Sequence, residues 1–293
     1  LDALTSGDKN TAVGYQAASA NTSAENNTAV GVDALLTNTD GSNNTAIGTN
    51  ALKLTNSGTQ NVAVGHNALT ANTSASQNTA VGQESLKANT TGTANVAVGA
   101  ESLKANTTAD NNTAVGMNSL LANTTGAANT GLGSHAFVAV TTGSDNVAVG
   151  VNAGVNVTTS SKNVLIGNEA GYANTDGYEN TFVGYQAGRP NTTGNHNVAI
   201  GRMAMRCNTE GVYNTAVGDQ ALYINTTGDT MKKLALENYL TRFIRYVIDW
   251  RTTRRVIRQL HELPDSTLDD IGVPRHDIAR LAYTEIQRKN YEK

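Results

Sequence analysis

The chain has 293 residues with 21 basic and 24 acidic side chains, divided unevenly: residues 1–230 hold 8 basic and 15 acidic residues, residues 231–293 hold 13 and 9. One cysteine, Cys207, excludes an intrachain disulfide framework, and no run of about 18 apolar residues is present to form a transmembrane helix. Large apolar side chains are too sparse in residues 1–230 for an ordinary globular core, yet those present recur at fixed positions, which also excludes a disordered tract.

From the N-terminal end, one motif opens every 17 residues: at Asn10, Asn27, Asn44, Asn61, Asn78, Asn95, Asn112, Asn129, Asn146, Asn163, Asn180, Asn197 and Asn214. A glycine follows four residues after each asparagine, beginning with Gly14, Gly31, Gly48 and Gly65. A fixed period of this length is the mark of a solenoid, in which each repeat is one coil and stacking builds the core. The expected fold is therefore mainly β: a parallel β-roll of thirteen coils over residues 1–230.

Within a repeat, counted from its asparagine, position two is Thr or Val and position four is Val, Ile or Leu, so these two share one face of a strand with position three on the other. The invariant glycine at position five suits a bend or a close backbone approach. Position eight is always Ala or Ser and position nine usually Leu, as at Leu35 and Leu52; positions eight to eleven read as a second short strand. Positions twelve to fifteen, typically Asn-Thr-Thr-Gly, close the coil as a turn, a reading preferred to glycosylation at the Asn-Thr-Ser and Asn-Thr-Thr triplets. Stacked asparagines lie about 4.8 Å apart in such a fold, so the Asn series is expected to hydrogen-bond amide to amide as a structural ladder. Position three is Ala in ten repeats but Leu165 and Phe182 in two; those repeats carry Gly171 and Gly188 at position nine. This large-for-small exchange implies that positions three and nine share one packed space, although Gly154 has no large partner at Ala148 in its own repeat.

The run Asn26-Asn27-Thr28-Ala29-Val30-Gly31, and its counterpart from Asn111 to Ser119, resembles the repeat of YadA-like head domains in trimeric autotransporter adhesins and similar arrays in phage tail-fibre proteins. The resemblance covers residues 10–230 and implies a left-handed roll, assembly as a homotrimer and a role in attachment. An autotransporter would end in a membrane-anchor barrel segment, whereas this chain ends in a basic region, which favours a phage fibre.

That region, residues 231–293, changes to a helical period: Leu236, Leu240, Phe243, Val247 and Trp250 form one stripe, resumed by Ile257, Leu260 and Leu263. Pro264 interrupts it, and Gly272 and Pro274 punctuate a small α-helical unit of two or three helices. Trp250-Arg251-Thr252-Thr253-Arg254-Arg255 with Leu268-Asp269-Asp270-Ile271-Gly272-Val273 resembles the YjiS-like short arginine-rich proteins over roughly residues 250–280. Some of these are implicated in RNA binding, so Arg251, Arg254, Arg255 and Arg258 are candidate phosphate contacts. Their modest net charge favours a solvated helix face instead.

No Ser-His-Asp arrangement, P-loop or Rossmann glycine pattern occurs, and His66, His135 and His196 fall at three different repeat positions, so no catalytic, cofactor or metal site is expected. The sequence thus points to a structural attachment fibre, virion-borne or extracellular. Its expected partners are two further copies of itself, a baseplate, neck or capsid protein, and a host receptor that is a glycan or a protein. The alternative is a bacterial trimeric surface adhesin head. A broken Thr/Val ladder at position two leaves ice binding as a remoter option, and nucleic-acid binding by the C-terminal helices is another.

Overall fold

The computed structural model describes residues 6–223. Among them, thirteen three-residue strands run from β1 (Thr11–Val13) to β13 (Thr215–Val217), one per repeat at positions two to four. They stand in chain order in one parallel sheet, each opposite its counterpart one repeat away: Thr11 with Thr28, Ala12 with Ala29, Val13 with Val30. A parallel neighbour at every step is what an in-phase repeat of one strand and one return path produces.

The return path corrects one expectation. Positions eight to eleven form no second strand; residues from the glycine at position five onward run as consecutive turns. Positions seven and nine of each coil hold positive φ, as at Asp33 (55°) and Leu35 (54°), and so does position seventeen, as at Asn43 (62°). Alternating the hand of the backbone turns peptide groups along the solenoid axis. The Asp33 N–H thereby donates back to Tyr15 O at 2.9 Å, and the Leu35 N–H donates forward to Ala51 O at 2.9 Å. A left-handed leucine costs about 1–2 kcal/mol. Full burial of Leu35, Leu52, Leu69 and their equivalents, worth about 2 kcal/mol each, offsets it.

The sheet points its small residues inward. Ala29, Ala46 and Ala63 at position three are fully buried, whereas the branched residues at positions two and four are half-buried or exposed. A coil this narrow admits one large side chain per layer, supplied from position nine, with Ala or Ser from position eight beside it. Where position nine is glycine, position three fills the space: a Cβ at Gly171 would lie 2.8 Å from Leu165 Cδ2, and one at Gly188 would strike the Phe182 ring. The repeat that lacked a partner is completed along the axis. A Cβ at Gly154 would meet Phe137 Cε1 at 2.5 Å from the coil before and Leu165 Cδ1 at 2.8 Å from the coil after.

The asparagine at position one binds backbone more than its own kind. Asn27 Oδ1 accepts the Asn44 N–H at 2.8 Å, and Asn27 Nδ2 donates to Gly41 O at 2.9 Å. Asn112 repeats the pattern with the Asn129 N–H and Gly126 O, both at 2.9 Å. One buried amide thus binds two peptide groups that the bend removes from the sheet ladder, and the carbonyl also accepts from position twelve, as Gly41 O does from Asn38 Nδ2 at 2.9 Å. Amide-to-amide bonds occur only as additional contacts, as from Asn61 Nδ2 to Asn44 Oδ1 at 3.1 Å. The glycine at position five is required twice over: Gly31 has a φ of 137°, and its Cβ would lie 2.6 Å from Gly48 O.

Position twelve forms a second buried asparagine ladder, Asn123 Nδ2 donating to Asn106 Oδ1 at 2.9 Å and Asn106 Nδ2 to Asn89 Oδ1 at 2.8 Å. It breaks at Val140 and Val157, leaving Asn123 Oδ1 buried without a partner, and Asn38 Oδ1 is likewise unpartnered beneath Thr55. Asn72 Oδ1 is unpartnered too, and Asn89 above it donates to Gly92 O. Among the described residues, burial of these asparagines leaves no free amide for a glycan at the Asn-Thr-Thr triplets, in keeping with their reading as turns.

The expected helical unit, with its stripe from Leu236 to Trp250 and Arg251, Arg254, Arg255 and Arg258, lies outside the described residues.

Candidate attachment surface

Because successive coils superpose, each outward position becomes a ladder, and three of them make distinct faces. The first is the sheet itself, with Thr or Val at position two, Val or Ile at position four and variable residues at position six. Val13, Ile47, Val115, Ile166, Ile200 and Val217 on this face are all exposed, as are Tyr15, Val32, Met117, Val151 and Tyr185 at position six. An apolar strip running the length of the solenoid is unusual on an isolated soluble chain.

The second face carries the charges, at positions seven and ten. Lys104 Nζ lies 2.7 Å from Glu84 Oε2 and Lys87 Nζ lies 2.9 Å from Glu84 Oε1. The hydrogen bonds from Lys104 and then Lys87 hold the Glu84 carboxyl at about 2. Further along, Arg189 Nε bonds Glu169 Oε2 at 2.7 Å, which keeps Glu169 below the usual carboxylate range, while the Arg189 guanidinium sits 5.0 Å over the Tyr172 ring. The Lys104–Glu84 and Arg189–Glu169 pairs join coil to coil, and a groove between Lys87, Lys104, Leu121 and the alanines at position eleven lies beside the first.

The third face is the edge formed by positions thirteen to seventeen. Threonines at position thirteen run along it, Thr90 Oγ1 donating to Thr107 O at 3.0 Å and Thr107 Oγ1 to Thr124 O at 3.1 Å. Through most coils its neighbours are small and polar. Over the ninth to twelfth coils, which begin at Asn146, Asn163, Asn180 and Asn197, it changes: Lys162, Tyr178, Glu179, His196 and Tyr213 come together. The rings of Tyr178 and His196 meet edge to face at 5.2 Å, and those of His196 and Tyr213 stack at 4.7 Å with 3° between their planes. Glu179 Oε2 lies 3.0 Å from His196 Nδ1 and Glu179 Oε1 lies 3.4 Å from Lys162 Nζ.

The structure places the position-one asparagines and Gly14, Gly31, Gly48 and Gly65 in the coil framework, at the bends and coil contacts described above. His66 and His135 stand apart from His196; His135 is held by Ser134 Oγ at 2.8 Å and Asn118 Nδ2 at 3.3 Å. Among the described residues no group of three or more His, Cys, Asp or Glu side chains is arranged to hold a metal ion.

Residues 243–279 match the YjiS-like domain. The YjiS-like segment contains Arg251, Arg254, Arg255, Arg258 and the Asp269-Asp270-Ile271-Gly272-Val273 run that carried the resemblance. Neither the curated proteins nor the solved structures yield a match to the chain. Sequence reasoning missed the aromatic edge. A signal was available: of the six tyrosines before residue 224, five lie at or after Tyr172.

Proposed function

We propose that this chain is the shaft of an attachment fibre, from a phage tail or other virion, in which three copies assemble as a left-handed parallel roll and display receptor-contacting residues on their edges. The observation that carries the reading is the outward apolar ladder of the sheet, with Ile47, Val115 and Ile200 each exposed at 39%, Ile166 at 37% and the rungs between them half-buried. Lateral association of identical chains covers such a ladder along its whole length, because every copy offers the same repeat spacing. The YadA-like resemblance of the repeats supplies the number three and the hand, and attachment is the role it implies. Partners in this reading are a virion structural protein and a surface receptor.

The solution mass of the full chain by light scattering tests it: a trimer is expected, and a monomer at micromolar concentration refutes it. Outward charge at mid-sheet, as in Val64→Lys with Val98→Lys, is expected to dissociate the trimer while leaving the coil intact. A bacterial adhesin head is the alternative, separated by whether virion genes or an anchor barrel accompany the coding sequence. Ice binding draws on the same face, since eight of thirteen position-two residues are threonines on a regular sheet. Measurable thermal hysteresis would favour it over attachment.

A further inference from the structure

The aromatic edge of the ninth to twelfth coils departs from the rest of the repeat in a way that the coil framework does not need. Elsewhere, positions sixteen and seventeen are filled by residues such as Ser42, Asn43, Thr59, Gln60, Ser76 and Gln77, and the coils close as well with those. Here Tyr178 and Tyr213 replace them and remain 43% and 63% exposed. An open depression of about 380 Å³ lies against Tyr178 between the ninth and tenth coils, lined also by Thr159, Ser161, Lys162, Asp176 and Glu179. Asp176 is exposed and makes no side-chain hydrogen bond or ion pair among the described residues.

We propose that this edge is a saccharide site, taking a neutral oligosaccharide laid along the solenoid axis with a sugar face against Tyr178 and Tyr213. An aromatic ring is electron-rich on its face. The weakly positive C–H face of a pyranose complements it, while the sugar hydroxyls need both donors and acceptors around the rim. The depression has both: carboxylates of Asp176 and Glu179 accept, and the Lys162 ammonium and the hydroxyls of Thr159 and Ser161 donate. Its walls are too polar and too shallow for a lipid chain or an apolar peptide anchor. Two carboxylates against one ammonium select against anionic sugars. The stack of Tyr178, His196 and Tyr213, with His196 held by Glu179, presets the platform before a ligand arrives, so little ordering entropy is lost on binding. Three coil steps separate Lys162 from Tyr213, about 14 Å at the inter-strand spacing, a reach suited to an oligosaccharide rather than a single sugar.

The inference deepens the attachment reading by naming the receptor's chemistry, and it rests on that reading for its biological setting only. The test is binding of the full chain to immobilised neutral oligosaccharides (glucose, galactose and N-acetylglucosamine oligomers), with uronic-acid oligomers and tetramethylammonium as competing probes. Wild type is expected to retain at least one neutral oligomer. Tyr178→Ala and Tyr213→Ala should each weaken it roughly three- to tenfold, and Asp176→Asn should weaken it as well. Tyr223→Ala, on the face of positions seven and ten, should leave it unchanged, and unchanged circular dichroism shows that the variants are folded. Absence of binding, binding indifferent to both tyrosines, preference for uronic acids, or displacement by tetramethylammonium alone overturns the proposal. A chain that adsorbs to cells without tyrosine-dependent sugar binding sinks this inference and leaves attachment standing. Tyrosine-dependent sugar binding by a chain that adsorbs to no cell does the reverse.

Discussion

The exchange between Phe182 and Gly188 allows the packing logic of the coil to be measured. Phe182 is fully buried, and its ring occupies the volume that a position-nine side chain fills in the coils of Leu35 to Leu120. Phe182→Ala removes that ring and leaves a cavity in its layer, a loss of about 3–5 kcal/mol. Gly188→Leu drives a side chain into the same ring. Overpacking of this kind costs about 1–3 kcal/mol. The backbone at residue 188, with a φ of 56°, then carries a left-handed leucine for about 1–2 kcal/mol more. Combining the two recreates the pairing of Ala29 with Leu35, so the cavity and the clash vanish together and chiefly the backbone cost remains. The expected coupling is therefore at least about 3 kcal/mol in favour of the double variant, well beyond additive error. Chemical denaturation followed by circular dichroism measures it, with hydrogen exchange locating the loss to the coils around residue 182, since a solenoid need not unfold in one step. If the double variant loses as much as the sum of the singles, positions three and nine do not share one space and the account of the core fails.

Three further outcomes follow from the hydrogen bonds and charges. Asn112→Ala orphans the Asn129 N–H, while Gly126 O keeps its bond from Asn123 Nδ2 at 2.9 Å, so a loss of roughly 1–3 kcal/mol is expected in denaturant titration; substitution of exposed Asn168 should cost less. Val140→Asn moves the unpartnered carbonyl from residue 123 to residue 140. Adding Val157→Asn gives that carbonyl a donor and lets Asn174 Nδ2 complete the ladder, so the double variant should exceed the single by about 1–3 kcal/mol in the same assay. Glu84 is held at about 2 in the folded chain, below its unfolded value near 4.5, so its ion pairs stabilise fully above that value and fade as pH falls towards 2. The melting temperature of wild type should drop more steeply over that window than that of Glu84→Gln.

The 17-residue register, the parallel stacking of the strand at positions two to four and the place of the closing turns were legible in the sequence, because a strict period fixes the neighbours of every residue at one repeat above and below. Alternation at positions two to four likewise separated Ala29 from Thr28 and Val30. It could not say which side faces in, since a strand pattern reads the same from both sides, and preference by hydrophobicity alone would have buried Val30. Only the width of the closed coil decides for alanine: the interior has room for one large side chain, and Leu35 already occupies it. The supposed second strand failed for a related reason. A leucine gives no local sign that it will take a left-handed backbone, and Leu35 does so because burial and a bond to the next coil outweigh the strain. Tertiary structure also settled what lies between repeats: Phe137 and Leu165 filling the space at Gly154, the bond from Asn27 Oδ1 to the next coil's backbone, and the meeting of Tyr178, His196 and Tyr213. The sequence by itself determined which residues stack. Only the folded coil decided which way they face, because that depends on the space left after every other side chain in the layer has been placed.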